Sequence, residues 1–154
     1  MSTPLDAKLP PPIVMLAACA AIGWVAYAYP ETRIAFAFST PIGIALIALG
    51  FALDLRPAIQ FLRARTTLNP LRPAASAALV TDGIYRFTRN PMYLGQTLVS
   101  LGVWCVWSSV YGLIALPLQV AFLTLFQILP EERALSAKFG AEYDAYRSRV
   151  RRWL

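Results

Sequence analysis

The sequence predicts an all-α integral membrane helical bundle of about four transmembrane helices with cytoplasmic C-terminal helices. Three observations carry that expectation. The 154-residue chain is 58% hydrophobic and only 14% charged, with a mean hydropathy of +0.55, whereas a soluble domain carries about 25% charged residues. Its apolar residues gather in four long, nearly uncharged runs. Its basic residues lie between and after those runs, as topology signals do. One domain, residues 1–154, is the natural organisation at this length.

The first run covers residues 13–29 and ends at Pro30. The opening MSTPLDAKLPPP does not read as a signal peptide, because its one Lys precedes a proline run and the apolar stretch is long enough to stay as a span. The second run covers residues 40–55, with Asp54 and Arg56 at its edge and Pro57 beyond. The third covers residues 91–107 and the fourth 110–129. Ser108-Ser109 leaves room for only a tight turn, so the third and fourth spans should form an antiparallel hairpin. Runs of 16 to 17 residues are slightly short for a hydrocarbon core of about 30 Å. Trp24, Tyr27, Tyr29, Trp104 and Trp107 extend them into the interface.

Six arginines (56, 63, 65, 72, 86 and 89) lie between the second and third spans, and Arg133, Lys138, Arg147, Arg149, Arg151 and Arg152 follow the fourth. Both other links are nearly free of positive charge. The positive-inside rule then places both termini, residues 56–90 and residues 130–154 on the cytoplasmic side of a bacterial inner membrane. In the central segment Asn69-Pro70, Pro73 and Asp82-Gly83 are turn signals. After Pro130 the sequence predicts a short helix, a break at Gly140 and a second helix with Tyr143, Tyr146 and Val150 at helical spacing.

The net charge of +6 follows from these flanking basic residues and does not point to nucleic acid. The chain has no His and no CxxC pair, so no metal site and no histidine general base are predicted. Cys19 and Cys105 read as small buried apolar residues.

The stretch TRNPMYLGQ, Thr88 to Gln96, holds more chemistry than a helix start needs. Asn90 suits an N-cap and Pro91 the first helical position. Helix N-termini favour anions, and Arg89 adds a fixed charge and a fork of donors. Tyr93 lies one turn in, and Gly95 removes a side chain where a ligand or another helix can approach. The second constellation is Glu131-Glu132, awkward to leave beside a bilayer unless paired or facing inward. The hairpin returns the acids to the membrane face of Arg89, and a ligand carrying a carboxylate and an ammonium group would match that pair of charges.

GIYRFTRNPMYLGQ followed by ILPEERALSAKFGAEYDAYRSRVRRWL resembles the isoprenylcysteine carboxyl methyltransferase family, a group that also includes phospholipid N-methyltransferases. Arg89, Pro91, Tyr93, Gly95, Glu131, Glu132, Phe139, Gly140, Tyr143, Tyr146, Arg149 and Trp153 match its pattern. Asn90 stands where many members carry His and cannot accept a proton near neutral pH.

The resemblance implies a membrane methyltransferase that binds S-adenosylmethionine at the cytoplasmic end of the last two spans. Arg89 and Glu132 are the implied catalytic residues. The implied cofactor contacts are Arg89, Asn90, Tyr93 and Gly95 on the carboxylate side and Glu131 or Glu132 on the ammonium or ribose. Val80, Gly83 and Tyr85 would line the adenosine side, with Tyr143, Tyr146 and Arg149 as a lid. The implied partner is a lipid-like or small-molecule methyl acceptor arriving from membrane lipid. Two other classes remain open at this point: an NADPH-dependent membrane reductase of related helical architecture, and a non-catalytic membrane protein.

Overall fold

The computed structural model describes residues 9–34, 36–63 and 79–154. The expected turns at Asn69-Pro70 and Pro73, the arginines Arg65 and Arg72 and residues 1–8 lie outside the described residues. The described chain is helical: α1 (Pro11–Ala28), α2 (Ser39–Arg63), α3 (Pro91–Trp107), α4 (Ala115–Leu123), α5 (Leu129–Phe139) and α6 (Ala141–Arg149). Among the described residues there is no β-strand, only an isolated bridge between Arg33 and Ser109.

Among the described residues three helices are long and apolar enough to cross a membrane: Pro11–Ala28, Ser39–Pro57 and Tyr111–Phe139. The 17-residue α3 is about 26 Å long at about 1.5 Å per residue. It runs antiparallel to α2 through the same layer, with Gly43 against Gly102 and Gly50 against Gly95. The chain is an integral membrane bundle in which three of the four expected spans qualify by length and composition, and α3 packs among them.

Glycine explains the α2–α3 seam. A Cβ on Gly50 would lie 2.5 Å from the Gly95 carbonyl oxygen, and one on Gly102 2.5 Å from that of Gly43. Only residues without a side chain let two backbones come so close, and such contacts hold helices together where lipid offers no hydrophobic contrast. The rest of α2 shows Ile42, Ile44, Leu49, Phe51 and Leu55 outward, as suits a surface against acyl chains. On α1, Met15, Ala18, Ile22 and Ala26 recur at helical spacing and are buried.

Two boundaries differ from the sequence reading, both at proline. The second helix continues through Pro57 to Arg63 instead of stopping at residue 55. Pro57 is fully buried, and packing holds the helix across one missing N–H. The fourth helix likewise passes Pro130. A π-helical turn, Thr124–Ile128, joins α4 to α5. It spans Phe126, whose carbonyl the ring of Pro130 would crowd and leave without a donor, so the wider turn absorbs the proline. Glu131 and Glu132 therefore sit within a continuous helix rather than at a fresh N-terminus. At 29 residues, Tyr111–Phe139 is about 43 Å long and overshoots a core of about 30 Å.

The Ser108-Ser109 turn reverses the chain, though α3 packs mainly on α2 and α1 rather than on α4. Far from the site, Thr32 and Ser109 share a 2.7 Å hydroxyl hydrogen bond, and Ile34 N–H donates to the Ser108 carbonyl at 2.9 Å. At the other end the Gln127 amide donates to the Leu9 carbonyl at 2.8 Å. Leu9, Arg89, Glu131 and the C-terminus thus share one end of the bundle. Gly140 separates α5 from α6 at φ 50°, a backbone that favours glycine.

Candidate functional site

The site forms where the segment 79–90, the start of α3, α5, α6 and the C-terminal tail converge. Pro91 opens α3 and Asn90 occupies the N-cap position, but the Asn90 side chain makes no capping bond. Its Nδ2 donates instead to the Arg152 carbonyl at 2.8 Å. The Thr88 hydroxyl reaches the same carbonyl at 3.3 Å, and Arg89 N–H donates to the Arg151 carbonyl at 3.0 Å. These bonds draw the last residues of the chain back over the α3 N-terminus.

That return places Arg152 on Glu132. Arg152 Nε donates to Oε1 at 3.0 Å and Nη2 to Oε2 at 2.8 Å. Arg89 Nη1 lies 3.1 Å from Glu132 Oε1 as an ion pair, without the alignment of a hydrogen bond. The Arg89 and Glu132 side chains are each 10% exposed, so the attraction is poorly screened by water. Two guanidiniums share the Glu132 carboxylate. The hydrogen bonds to Glu132 also push the Arg152 guanidinium further toward its charged form.

Beside this cluster the Tyr93 hydroxyl donates to Glu131 Oε1 at 2.5 Å. Tyr93 also packs with Leu123, Ile128, Val14 and Trp153, so Trp153 anchors the tail between α1, α3 and α4. Tyr85, Tyr143 and Tyr146 form a second cluster, with Val80, Ile84, Leu135 and Val150 against it. The Tyr146 hydroxyl donates to the Tyr85 carbonyl at 2.8 Å. Burial pushes the Tyr143 phenol upward and the Glu132 charge adds to that, while Arg89 pulls it back. A cavity of about 490 Å³ opens between α5, α6 and the tail, lined by Glu132, Arg133, Ser136, Arg147 and Arg152 among others.

Of the residues singled out from sequence, Arg89, Asn90, Tyr93, Glu131 and Glu132 come together at the α3 N-terminus. Val80, Tyr85, Tyr143 and Tyr146 form the adjoining aromatic cluster. Gly83 starts the turn before Tyr85 at φ 58°. Two lie elsewhere. Gly95 faces Gly50 and Asp54 of α2, and Arg149 Nε folds back to the Ala145 carbonyl at 3.1 Å on its own helix. Arg152 was missed. Its only sequence signal was membership of a basic run, and which arginine of that run turns inward depends on the fold of the tail.

Residues 38–142 match the family described as phospholipid methyltransferase. The chain belongs to that family. Similar proteins include protein-S-isoprenylcysteine O-methyltransferase B of Arabidopsis thaliana, 32% identical over 108 residues, covering 70% of this chain and 55% of the plant protein. Protein-S-isoprenylcysteine O-methyltransferase of Schizosaccharomyces pombe is 33% identical over 72 residues, covering 47% of this chain and 30% of the yeast protein. An uncharacterized protein of Haemophilus influenzae is 38% identical over 64 residues, covering 41% of this chain and all of that protein. The chain spans about half the length of the plant relative and less than a third of the yeast one. No solved structure matches it. The family match covers α3 and Glu131-Glu132, and ends within α6, before Arg152 and Trp153.

Proposed function

We propose that the protein is an S-adenosylmethionine-dependent methyltransferase acting on a lipid-like acceptor at the cytoplasmic face of the membrane. One observation carries the reading. Arg89 Nε is buried with no hydrogen-bond partner among the described residues, while Nη1 of the same guanidinium faces Glu132 at 3.1 Å. A buried donor left without an acceptor is costly, and the carboxylate of the cofactor's methionine half would satisfy it. Glu131, engaged by Tyr93 through one oxygen, keeps the other to receive an ammonium or a ribose hydroxyl. The residues present therefore fit the group. The cavity of about 490 Å³ meets this cluster at Glu132 and Arg152, and Arg89, Glu131 and Tyr93 are not among its lining residues.

When bound, the cofactor supplies a methyl group on a cationic sulfur, activated for in-line transfer. What the chain contributes is position and dryness. Arg89 and Arg152 fix Glu132 from two sides, so the polar wall does not reorganise as charge moves. The Tyr85, Tyr143 and Tyr146 cluster excludes water from one flank. Asn90 holds the tail and offers no base. The basic residues at this end, Arg56, Arg86, Arg133 and Lys138 among them, favour the cytoplasmic side.

The test is ligand choice followed by product. S-adenosylhomocysteine should raise the thermal midpoint of protein in lipid nanodiscs, and NADPH should not. Methyl-labelled cofactor added to membranes should then deposit label in the lipid extract. Saturable stabilisation by NADPH alone would overturn the reading.

A further inference from the structure

The cavity between α5, α6 and the tail shares only Glu132 and Arg152 with the cluster around Arg89, and methyl transfer gives the rest of it no occupant. The remainder of its wall is Leu129, Arg133, Ser136 and Ala137 along one face of α5, and Arg147 on α6. Arginines from α5, α6 and the tail thus border one space. The carboxylate in the wall, Glu132, already holds Arg152 at 2.8 Å and Arg89 at 3.1 Å. Arg152 commits Nε and Nη2 to it, and Nη1 takes no part in that fork. Asp144, outside the wall, meets Arg147 at 3.4 Å and the Ser136 hydroxyl at 3.5 Å. The Arg147 and Asp144 side chains are 50% and 53% exposed, and a pair so open to water yields readily to a better anion.

Depth narrows the ligand. Trp24, Tyr29 and Tyr111 meet edge to face at centroid distances of 6.5 and 6.2 Å, and all three are exposed. Such aromatics mark a membrane interface. Counted from Tyr111 along the membrane normal at about 1.5 Å per residue, a hydrocarbon core of about 30 Å ends near Glu131. Leu129 stands at that edge. Arg133 and Ser136 lie about 3 and 8 Å beyond it, within the headgroup layer where lipid phosphates sit. Leu118 and Leu125 are exposed on the same continuous helix and precede Leu129 at helical spacing. An outward apolar strip therefore leads to the cavity. An acyl chain fits the strip and a phosphate fits the guanidiniums.

We propose that this cavity binds the phosphodiester of an anionic phospholipid of the adjoining leaflet, a lipid that is held there and not methylated. Guanidinium forks match phosphate oxygens, and basic pockets beside membrane helices take anionic heads. A head ending in an ammonium is disfavoured, because it meets three arginines and a carboxylate already bound twice. The volume of about 490 Å³ exceeds what a bare phosphate fills and suits a head with glycerol attached. The bound lipid ties α5 and α6 to the tail through Arg133, Arg147 and Arg152. Lipid binding here is independent of methyl transfer.

The experiment follows the thermal midpoint in phosphatidylcholine nanodiscs as phosphatidylglycerol replaces part of the lipid. Wild type should gain stability and reach a plateau. Arg133→Gln/Arg147→Gln, which spares Arg152 and Glu132, should need about 10-fold more phosphatidylglycerol for the same gain. Arg149→Gln/Arg151→Gln removes equal charge from the same region outside the cavity and should respond as wild type does. If the first double variant shows no folding transition, the single Arg147→Gln carries the same comparison. An equal gain in all three proteins, the same gain from inorganic phosphate in pure phosphatidylcholine discs, or loss of the gain once S-adenosylhomocysteine saturates the protein would overturn the proposal. So would methyl label on the phosphatidylglycerol. A protein that ignores S-adenosylhomocysteine yet follows the expected lipid pattern would overturn methyl transfer and uphold the lipid site.

Discussion

Arg152 holds Glu132 through two atoms at once, Nε on one carboxylate oxygen at 3.0 Å and Nη2 on the other at 2.8 Å, from 20 residues further along the chain. The fork geometry belongs to arginine, and lysine cannot reproduce it. Arg89 completes the cluster from the α3 side. Glu132 is therefore the point through which α3, α5 and the tail are joined.

Removing the shared carboxylate should cost more than removing either guanidinium. Glu132→Ala leaves Arg89 buried and unpaired, and should destabilise the fold by about 3–5 kcal/mol. Arg152→Ala leaves Glu132 with Arg89. Because the Arg152 side chain is 35% exposed, its loss should cost only about 1.5 kcal/mol, the low end for hydrogen bonds to charged groups. Thermal unfolding in nanodiscs ranks the two. An Arg152→Ala protein less stable than Glu132→Ala would contradict this arrangement.

The glycine seam makes a prediction that owes nothing to function. Gly50→Ala sets a methyl 2.5 Å from the Gly95 carbonyl oxygen, and the obstacle is backbone that cannot swing aside. The helices must separate, at a cost of about 1–3 kcal/mol or more. Gly23→Ala is the control. Its Cβ would lie 3.7 Å from Trp107 Nε1, ordinary contact, and the extra methyl should be tolerated. Unfolding midpoints of the two variants, measured side by side, check the difference.

The aromatic cluster should fail at high pH. Burial, then the neighbouring Tyr146 and Glu131, pushes the Tyr85 phenol upward, and burial, then Tyr143, does the same to Tyr146. Their folded values are raised above an unfolded phenol, which titrates near about 10. The stability they contribute is therefore complete below about pH 10 and is lost as pH climbs above it. The thermal midpoint should be level through neutral pH and drop beyond about pH 10. Tyr146→Phe should soften that drop while costing about 1 kcal/mol at neutral pH, because the Tyr85 carbonyl loses its partner.

The helices were legible because apolar runs report burial in lipid directly. So was the meeting of Arg89 with the acids, since two long spans joined by a short turn must return to the same face. What escaped was everything decided by contact. Pro57 and Pro130 read as stops, yet packing and a π-helical turn carry both helices onward. Gly95 matched the motif at the site but serves the seam with α2. Asn90 has the composition of a cap, but the tail offers its amide a carbonyl. Arg149 and Arg152 are indistinguishable as letters in SRVRRWL, and only the chain's path after Val150 turns one outward and the other onto Glu132.

Asn90 gives the sharpest test of that path. Its amide donates to the Arg152 carbonyl at 2.8 Å, and the residue is buried at 8% exposure. Asn90→Ala removes the donor and should loosen the tail at a cost of about 1 kcal/mol. Asn90→Asp presents an ionised acceptor to a carbonyl and should loosen it further. Asn90→His can donate one ring N–H and should restore most of the latch. Limited trypsin digestion reads the outcome at the bonds after Arg151 and Arg152: slow in wild type and Asn90→His, faster in Asn90→Ala, fastest in Asn90→Asp. A loosened tail frees Arg152 from Glu132, so affinity for S-adenosylhomocysteine should fall in that same order. Equal digestion of all four proteins would show that Thr88 and the Arg89 backbone hold the tail without the Asn90 amide.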